Sequence, residues 1–405
     1  TSTITLSGNL NVAGVLNPTR KFNLNLKESL SHTLTVNGLS AFHQLTVKTG
    51  AQVLLNTPAP ATLQLGTVTG GGLVIENNGE LDVKNNTLTL TGQSVISCNQ
   101  TGRVGFSKGN LVYNSQSTAL STFRTKPGAD SIQALLINGV TGGQLIAENL
   151  VYVLDSIKVA QAVLHSTNIT LVSTANKTAR IAAFEGTGNL LGTVGFQRYI
   201  RSGRMYRYLA FPVGGVSVDS LQEYMPVTGN FIGASHGAGL ASATPSLFRY
   251  ENNDWVPYPT TDSTAQFLSG TGYSVFMRNE NSPITVQAFG TIHRGDFVFN
   301  LQPGTESDTV GWNLLGNPYA APIHWNNTWN ATGLGTSVYV RDNEQENNPF
   351  LVWDGEAGDA EFSGKIAQGQ AFWIKSLAAN PLLTVTELAR VPHGNFYRTQ
   401  NTKPP

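Results

Sequence analysis

Short apolar triplets recur through the first half of the chain, as in Leu63-Gln64-Leu65, Leu73-Val74-Ile75, Leu81-Asp82-Val83 and Leu88-Thr89-Leu90. In most of them apolar and polar residues alternate, which is the period of a β-strand with one buried face. Successive triplets are about seven to eleven residues apart and are separated by Gly, Asn and Thr, as in Glu76-Asn77-Asn78-Gly79. The pattern therefore predicts many short strands joined by tight turns.

Strands this short favour a parallel β-helix, in which three strands and their turns form a coil of roughly 20 to 30 residues that stacks on the next coil. The triplets extend in both directions, from Leu34-Thr35-Val36 to Ile169-Thr170-Leu171-Val172. Residues 115–132 break the spacing, and we expect them to leave the stack. A β-sandwich of short hairpins is the competing prediction, because irregular spacing suits hairpins as well.

The second half of the chain contains a repeated pattern. Four sequence landmarks recur in the same order about 100 residues later, which is the length of one small β unit. The landmarks, each with its second copy, are Tyr206–Pro212 with Trp312–Pro318, Ser246–Tyr250 with Ser337–Arg341, Gly270–Val275 with Gly369–Ile374, and Ile284–Val286 with Leu383–Val385. This order predicts a tandem duplication of one β module.

The fold class predicted from these patterns is all-β: a parallel β-helix followed by a duplicated β-sandwich-like module. We place the β-helix at residues 1–195, because the triplets give way to an aromatic-rich stretch near residue 195. The module follows as a first repeat over 196–302 and a second over 303–391. One short helix is predicted at Val218–Tyr224, capped by Ser217 or Asp219.

Composition narrows the class of partners. Only 12% of residues are Asp, Glu, Lys or Arg, about half the share in an average soluble protein. The net charge is +0 and no dense Lys/Arg tract occurs, so neither nucleic acid nor an anionic membrane is predicted as a partner. No apolar run approaches the roughly 20 residues that span a bilayer. Cys98 is the single cysteine, which excludes an internal disulfide and a thiolate metal site.

The repeat motifs carry a resemblance. The strings Gln197-Arg198-Tyr199-Ile200, Gly311-Trp312-Asn313-Leu314-Leu315-Gly316-Asn317-Pro318-Tyr319 and Ile366-Ala367-Gln368-Gly369-Gln370-Ala371-Phe372-Trp373 resemble those of large Bacteroidota surface proteins secreted through the type IX route. The similarity covers roughly residues 30–398. It implies an extracellular protein of the kind found in adhesins, gliding-associated proteins and fibres, and it assigns no functional residue. It also implies that the signal peptide and the C-terminal sorting region lie outside this chain, and that residues 392–405 are a linker to that absent C-terminal region.

The same resemblance implies O-glycosylation, because bacteria of that phylum attach glycans to Ser or Thr that follows Asp and precedes a small or aliphatic residue. The candidate acceptors are Ser131, Ser156, Ser220, Ser263 and Thr309, and we expect them to face solvent. The alternative is that these Asp-Ser and Asp-Thr pairs are ordinary turn and helix-cap pairs.

Two nearby loops concentrate oxygen donors, the ligands that Ca²⁺ prefers. The candidate ligands are Asp342, Asn343, Glu344, Glu346, Asp354, Glu356 and Asp359. Their spacing differs from that of an EF-hand loop, and solvated acidic loops are the alternative. No other cofactor is predicted.

Aromatic residues in loop-like stretches are candidates for stacking on sugar rings. They are Trp255, Tyr258, Trp325, Trp329 and Trp353, and packing between the two repeats is the alternative for each. Acidic residues that could catalyse glycan cleavage are sparse in the first half, where Glu80 and Asp82 are the one pair that shares a strand face.

We therefore predict a non-enzymatic extracellular scaffold, an adhesin or fibre component. Its expected partners are other copies of itself or surface components, with glycans as a further class, and no direct membrane insertion is expected. We expect the N-terminal strands to pair with a neighbouring subunit or with an absent part of the parent protein, which would give a fibre. The alternative is that residues 1–30 fold back as a cap. The alternative function is a carbohydrate-binding or carbohydrate-cleaving secreted β-helix protein.

Overall fold

A computed structural model describes residues 2–12, 22–36, 39–57, 60–236, 243–306, 309–326, 329–343 and 349–394. The chain forms two compact units. Residues 1–172 and 183–194 make up the first unit, and residues 173–182 and 195–405 make up the second. The predicted boundary at 195 coincides with the point where the chain finally leaves the first unit. The return of residues 173–182 to the second unit was not predicted.

The first unit is a β-solenoid of about 8 turns, built from three stacks of parallel strands. The first stack runs in the order β1 (Ser2–Leu6), β3 (Phe22–Leu26), β6 (Gln44–Val47), β9 (Gly72–Ile75), β12 (Val95–Cys98), β15 (Leu120–Phe123), β17 (Gln144–Ala147), β19 (Val163–His165) and β22 (Asn189–Leu191). The second runs in the order β2 (Leu10–Val12), β4 (Ser31–Val36), β7 (Gln52–Asn56), β10 (Glu80–Asp82) and β13 (Arg103–Gly105). The third, within this unit, contains β5 (Leu39–Phe42), β8 (Thr62–Leu65), β11 (Thr87–Gly92), β14 (Asn110–Ser115), β16 (Ser131–Ile137), β18 (Val151–Val159) and β20 (Ile169–Leu171).

The core of the solenoid consists of ladders of apolar side chains, one from each coil. In the third stack the ladder is Leu63, Leu88, Leu111, Leu135 and Ile157, all with 0% exposure and each in register with the next. Neighbouring positions alternate between buried and partly exposed because successive side chains of a strand point to opposite faces. The predicted parallel β-helix is therefore confirmed, and the hairpin sandwich is excluded for this unit.

Residues 115–132 do not leave the stack, so that expectation was wrong. They contain β15, which pairs with β12 and β17 like any other rung. The triplet pattern fails here because the inward position is polar: Ser121 has 0% exposure, whereas Leu120 is 53% exposed. The buried Ser121 hydroxyl accepts a hydrogen bond from the Ile96 amide at 3.3 Å, which offsets the cost of burying it.

The short distance between neighbouring coils also limits which residues can occupy the turns. Gly72 begins β9 with φ +120°, and a Cβ at this position would lie 2.0 Å from the carbonyl oxygen of Val95 on the next coil. Only glycine satisfies both the backbone angle and the space. The Gly-rich turns of the sequence therefore determine where one coil can stack on the next.

In its described residues, the second unit contains short antiparallel sheets, one α-helix and one 3-10 helix. Its first repeat has a sheet in the order β24 (Gly203–Leu209), β28 (Tyr273–Asn279), β26 (Leu247–Glu251) and β27 (Asp254–Pro257). The second has a sheet in the order β31 (Trp312–Gly316), β37 (Ala371–Lys375), β34 (Val338–Arg341) and β35 (Phe350–Trp353). The other elements are β21 (Arg180–Ile181), β23 (Val194–Ile200), β25 (Val213–Gly214), α1 (Val218–Gln222), β29 (Ile284–Ile292), β30 (Phe297–Val298), β32 (Ile323–His324), β33 (Asn330–Thr332), β36 (Lys365–Ile366), β38 (Leu382–Val385) and the 3-10 helix Glu387–Ala389.

The two four-stranded sheets have the same strand order and the same register. In the first repeat Leu209 lies opposite Tyr273, and in the second Leu315 lies opposite Phe372. These are the residues that the sequence landmarks made equivalent. The predicted duplication is therefore visible at the level of individual residue pairs. The predicted short helix is α1, and its cap is Ser217, whose hydroxyl accepts from the Ser220 amide at 3.4 Å.

The repeats contact each other through matched positions. Leu209 forms a β-bridge with Gln370, and the equivalent Leu315 forms a β-bridge with Thr271. Reciprocal contacts of this kind are typical of a two-fold related pair. Gly316 lies at this contact, where a Cβ would be 2.5 Å from the carbonyl oxygen of Thr271.

The predicted seam at residue 303 is slightly too late. Phe299 belongs to the apolar core of the second repeat, and Phe297 and Leu301 pack against that core. The reason is that β30 pairs with β38, so the chain has already entered the second repeat before the polar stretch that suggested the seam. Residues 395–405, most of the predicted linker, lie outside the described residues.

Candidate functional site

Two of the predicted sugar-stacking residues are core residues. Trp325 and Trp329 are 5% and 7% exposed, and their ring centroids are 4.7 Å apart. Each indole N–H donates to a backbone carbonyl, that of Thr336 at 2.7 Å and that of His324 at 2.6 Å. The sugar-stacking prediction is wrong for this pair because both rings are enclosed in the second repeat.

Trp255 packs between the repeats. Its ring centroid is 5.9 Å from that of Tyr208 and 5.3 Å from that of Tyr250 in the first repeat, and 5.7 Å from that of Trp373 in the second. Such edge-to-face and offset contacts stabilise aromatic clusters beyond their buried area. The alternative reading of Trp255, as packing against the duplicated partner, is therefore the one that the geometry supports.

Trp353 and Tyr258 are half-buried. The Trp353 indole donates to the carbonyl of Trp325 at 3.1 Å, and a Cβ on Gly364 would lie 2.5 Å from its ring. The Tyr258 hydroxyl donates to the carbonyl of Gln266. Tyr258 also lines a cavity of about 220 Å³ with neighbouring loop residues, so its ring lies beside a concave surface.

The predicted glycan acceptors differ in exposure. Thr309 is exposed, and Ser131, Ser156 and Ser220 are half-buried. Ser263 is 8% exposed, so the expectation that it faces solvent is wrong. A backbone hydrogen bond holds this serine against a second loop: the Ser263 amide donates to the carbonyl of Ile232 at 2.9 Å.

The acidic loops use several of their oxygen atoms internally. Asp354 Oδ1 accepts from the amides of Ala357 at 2.7 Å and Glu356 at 2.9 Å, and these hydrogen bonds lower the pKa of Asp354. Asp359 Oδ2 accepts from the Val352 amide at 2.7 Å. Asp342 is fully buried.

The remaining calcium candidates do not complete a site. The Asn343 side chain donates to the carbonyl of Tyr206 at 3.2 Å. Glu344 and Glu346 lie outside the described residues. Within the described part of the chain, no group of three His, Cys, Asp or Glu side chains converges as a metal ligand set. Calcium binding stays a prediction.

The one acidic pair of the solenoid also has structural partners. Glu80 Oε2 lies 2.8 Å from Lys126 Nζ, and Asp82 Oδ1 accepts from the Lys84 amide at 2.9 Å. Similar ion pairs join other coils, such as Lys48 with Glu76 at 2.7 Å. The pair therefore stabilises contacts within and between coils.

A sheet surface of the first repeat combines two arginines with aromatic rings. Arg204 lies opposite Arg278, and Tyr206 lies opposite Phe276, on β24 and β28. Because directly opposed residues of antiparallel strands project on the same side, these four share one face. Phe248 on β26 extends it: the Tyr206 ring centroid is 6.0 Å from that of Phe248 and 4.9 Å from that of Phe276. We call these five residues the arginine–aromatic face.

Both guanidinium groups lie near the same aromatic ring. Their Cζ atoms are 5.4 Å (Arg204) and 5.0 Å (Arg278) from the Phe276 ring centroid. Arg278 donates to the carbonyl of Pro226 and to the hydroxyl of Thr228, both at 3.2 Å. Burial and then the charge of Arg204 lower the pKa of Arg278. Among the described residues, no carboxylate forms an ion pair with either arginine.

Tyr206 begins a repeat landmark in the sequence, and neither it nor Arg204 was predicted to belong to a binding surface. The signal that was available is their spacing, since residues at i and i+2 of a strand share a face. The residues opposite them could not be identified without the register of β24 on β28. Arg204 is exposed, and Tyr206 is 37% exposed.

Comparison with family models, curated proteins and solved structures gives no match for this chain. None of the helices in the described residues is long and apolar enough to cross a membrane.

Proposed function

We propose that the protein is a non-enzymatic scaffold of the outer cell surface, an adhesin or fibre component of a Bacteroidota-type bacterium that uses type IX secretion. One observation supports this most: apolar side chains fill most inward positions of the stacked sheets, in ladders such as that of Leu63, Leu88 and Leu111. A solenoid of this kind lengthens by adding coils and needs no central site. It is a suitable stalk for presenting a second module.

The outward positions of the solenoid support exposure to solvent outside the cell. They are occupied by Thr, Asn, Ser and Gln more than by charged residues, in keeping with the 12% charged content. We propose that O-glycans on Thr309 and on the half-buried Ser131, Ser156 and Ser220 add to the hydration of this surface. Calcium in the acidic loops is a separate proposal that depends on Glu344 and Glu346.

Protease accessibility on intact cells tests the location. Cells that produce the full-length protein are treated with proteinase K, and the protein is followed by antibody in intact and lysed samples. We expect loss of the protein in intact cells while a cytosolic control protein survives. Protection in intact cells, with digestion only after lysis, would refute a surface scaffold.

A carbohydrate-binding protein is the second candidate function, and the arginine–aromatic face is the observation that favours it. Exposed aromatic rings mark binding surfaces, and such a ring can stack on the apolar face of a sugar. Binding of glycans is compatible with an adhesin, so the two candidates differ in whether the second unit has a ligand of its own. That question can be tested with purified protein.

A further inference from the structure

We propose that the arginine–aromatic face binds an acidic polysaccharide, with Arg204 holding a sugar carboxylate and Tyr206 stacking against the pyranose ring. This inference rests on the proposed function of a cell-surface scaffold and names a class of partner for it. The face lies wholly within the first repeat of the second unit, on β24, β28 and β26.

The charge arrangement argues for an anionic occupant. Like charges placed directly opposite each other across two strands destabilise a sheet, and here Arg204 and Arg278 occupy such a pair. No carboxylate of the described residues neutralises them. An anion between or beside the two guanidinium groups removes that repulsion. Arginine suits a carboxylate in particular, because its planar fork can donate two parallel hydrogen bonds.

The two arginines have different roles. Arg278 is half-buried and already donates to Pro226 and Thr228, so it is a positioning residue whose charge adds to the field at the face. Arg204 is exposed and has no hydrogen-bond partner among the described residues. Its guanidinium group is therefore the one that can contact a ligand directly.

The aromatic part of the face argues for a sugar over a simple anion. Tyr206 is 37% exposed although its ring packs edge-on against Phe248 and at a tilt against Phe276. Neighbouring rings fix its orientation, so a ligand that stacks on it does not have to order the side chain. A pyranose ring presents apolar C–H groups on one face and a ring-attached carboxylate at its edge, which matches a tyrosine beside an arginine.

The adjoining surface gives room for more than one sugar. Thr228, which accepts from Arg278, also lines the cavity of about 220 Å³ beside Tyr258. Pro257 lines the same cavity and lies opposite Phe248 in the sheet. The face and the cavity are therefore neighbours, and a chain of several sugars can extend from one toward the other.

Binding to defined polysaccharides tests the proposal. Purified full-length protein is titrated, by calorimetry at low salt, with polygalacturonate, with its fully methyl-esterified form and with polyglutamate. We expect binding to polygalacturonate that weakens as salt screens the charges. The esterified polymer keeps the rings and loses the charge, and polyglutamate keeps the charge and lacks the rings, so both should bind at least roughly ten-fold more weakly.

Variants assign the effect to the face. Arg204→Gln should weaken polygalacturonate binding roughly ten-fold. Tyr206→Ala should weaken it several-fold, whereas Tyr206→Phe should retain it because the ring remains. Arg294→Gln and Phe289→Ala are matched controls, since Arg294 is an exposed arginine and Phe289 is a 51% exposed aromatic residue outside the face. Circular dichroism confirms that each variant is folded.

Three results would overturn the proposal. They are no binding of the wild-type protein to polygalacturonate, equal binding of polyglutamate, and unchanged affinity of Arg204→Gln. None of these results bears on the cell-surface location, which the protease experiment decides by itself. A protein that is exposed on cells and fails to bind would remain a scaffold without this ligand.

Discussion

Asn317 is the residue whose replacement tests our view of the second repeat most directly. It has 0% exposure. Its side-chain nitrogen lies 2.9, 3.2 and 3.1 Å from the carbonyl oxygens of Ala321, Ile366 and Ala367, and its side-chain oxygen accepts from the Tyr319 amide at 3.0 Å. One buried amide thus joins two segments that are distant in sequence.

The expected cost of Asn317→Ala follows from the groups left behind. A buried polar group that loses its partner costs about 1–3 kcal/mol. The Tyr319 amide and at least one of the carbonyl groups lose theirs, so we expect a loss of about 3–5 kcal/mol in the free energy of unfolding. For a unit of this size the melting temperature should fall by roughly 10 °C.

Asn317→Asp should be worse than Asn317→Ala at neutral pH, because it places a carboxylate against three carbonyl oxygens. That environment raises the pKa of the introduced carboxyl in the folded state. The charge-related loss should therefore be absent below the unfolded pKa and should grow as the pH rises above it. The aspartate variant is expected to regain stability in acid, and the alanine variant is not.

Thermal unfolding followed by circular dichroism measures both variants, with Asn330→Ala as the control because Asn330 is exposed in the same repeat. The control should change stability by less than about 0.5 kcal/mol. If Asn317→Ala has the same melting temperature as the wild type and the control, the hydrogen bonds of Asn317 do not stabilise the repeat. The reasoning from buried polar groups would then be refuted for this site.

Three further predictions concern the solenoid. Leu88→Asp should lower the free energy of unfolding by several kcal/mol, because Leu88 has 0% exposure. A melting temperature equal to that of the wild type would contradict the burial of this residue in the ladder. Glu76→Gln should cost about 1 kcal/mol or less at neutral pH. The hydrogen bond from Lys48 lowers the pKa of Glu76 below 4.5 in the folded state. This stabilisation is therefore present above the unfolded pKa and is lost as the pH falls through the folded pKa. The free energy of unfolding should change less with pH in the acid range for Glu76→Gln than for the wild type. Burial raises the pKa of the Cys98 thiol to about 11, so iodoacetamide at pH 8 should label it only after unfolding, and rapid labelling of the native protein would contradict its burial.

The duplication shows how far matched sequences diverge in chemistry. Position 317 of the second repeat corresponds to Phe211 in the first, where the ring stacks on Phe267 with centroids 3.9 Å apart. The backbone contacts between the repeats remain reciprocal, with Ala210 donating to Gly369 at 3.0 Å and Gly316 donating to Gly270 at 2.9 Å. The shared backbone geometry is therefore maintained by stacking in one repeat and by a buried amide in the other.

The sequence by itself determined the strands of the solenoid and the equivalence of the repeats. Both depend on local periodicity: an apolar residue at every second position must face a core, and Leu88 and Leu90 do so with 0% exposure. The exception at Ser121 has a local cause too, since a hydrogen-bonded serine can occupy an inward position that the pattern reserves for apolar residues.

Tertiary structure alone decided which polar and aromatic residues form a surface. Trp325 and Trp329 resemble loop residues in the sequence and are enclosed by segments far along the chain, whereas Tyr206 belongs to a repeat landmark and is partly exposed. The arginine–aromatic face requires the pairing of β24 with β28, two strands that are separated by more than sixty residues. Spacing within a strand reports only which side a residue takes, and the partner strand and its register depend on packing across the whole unit.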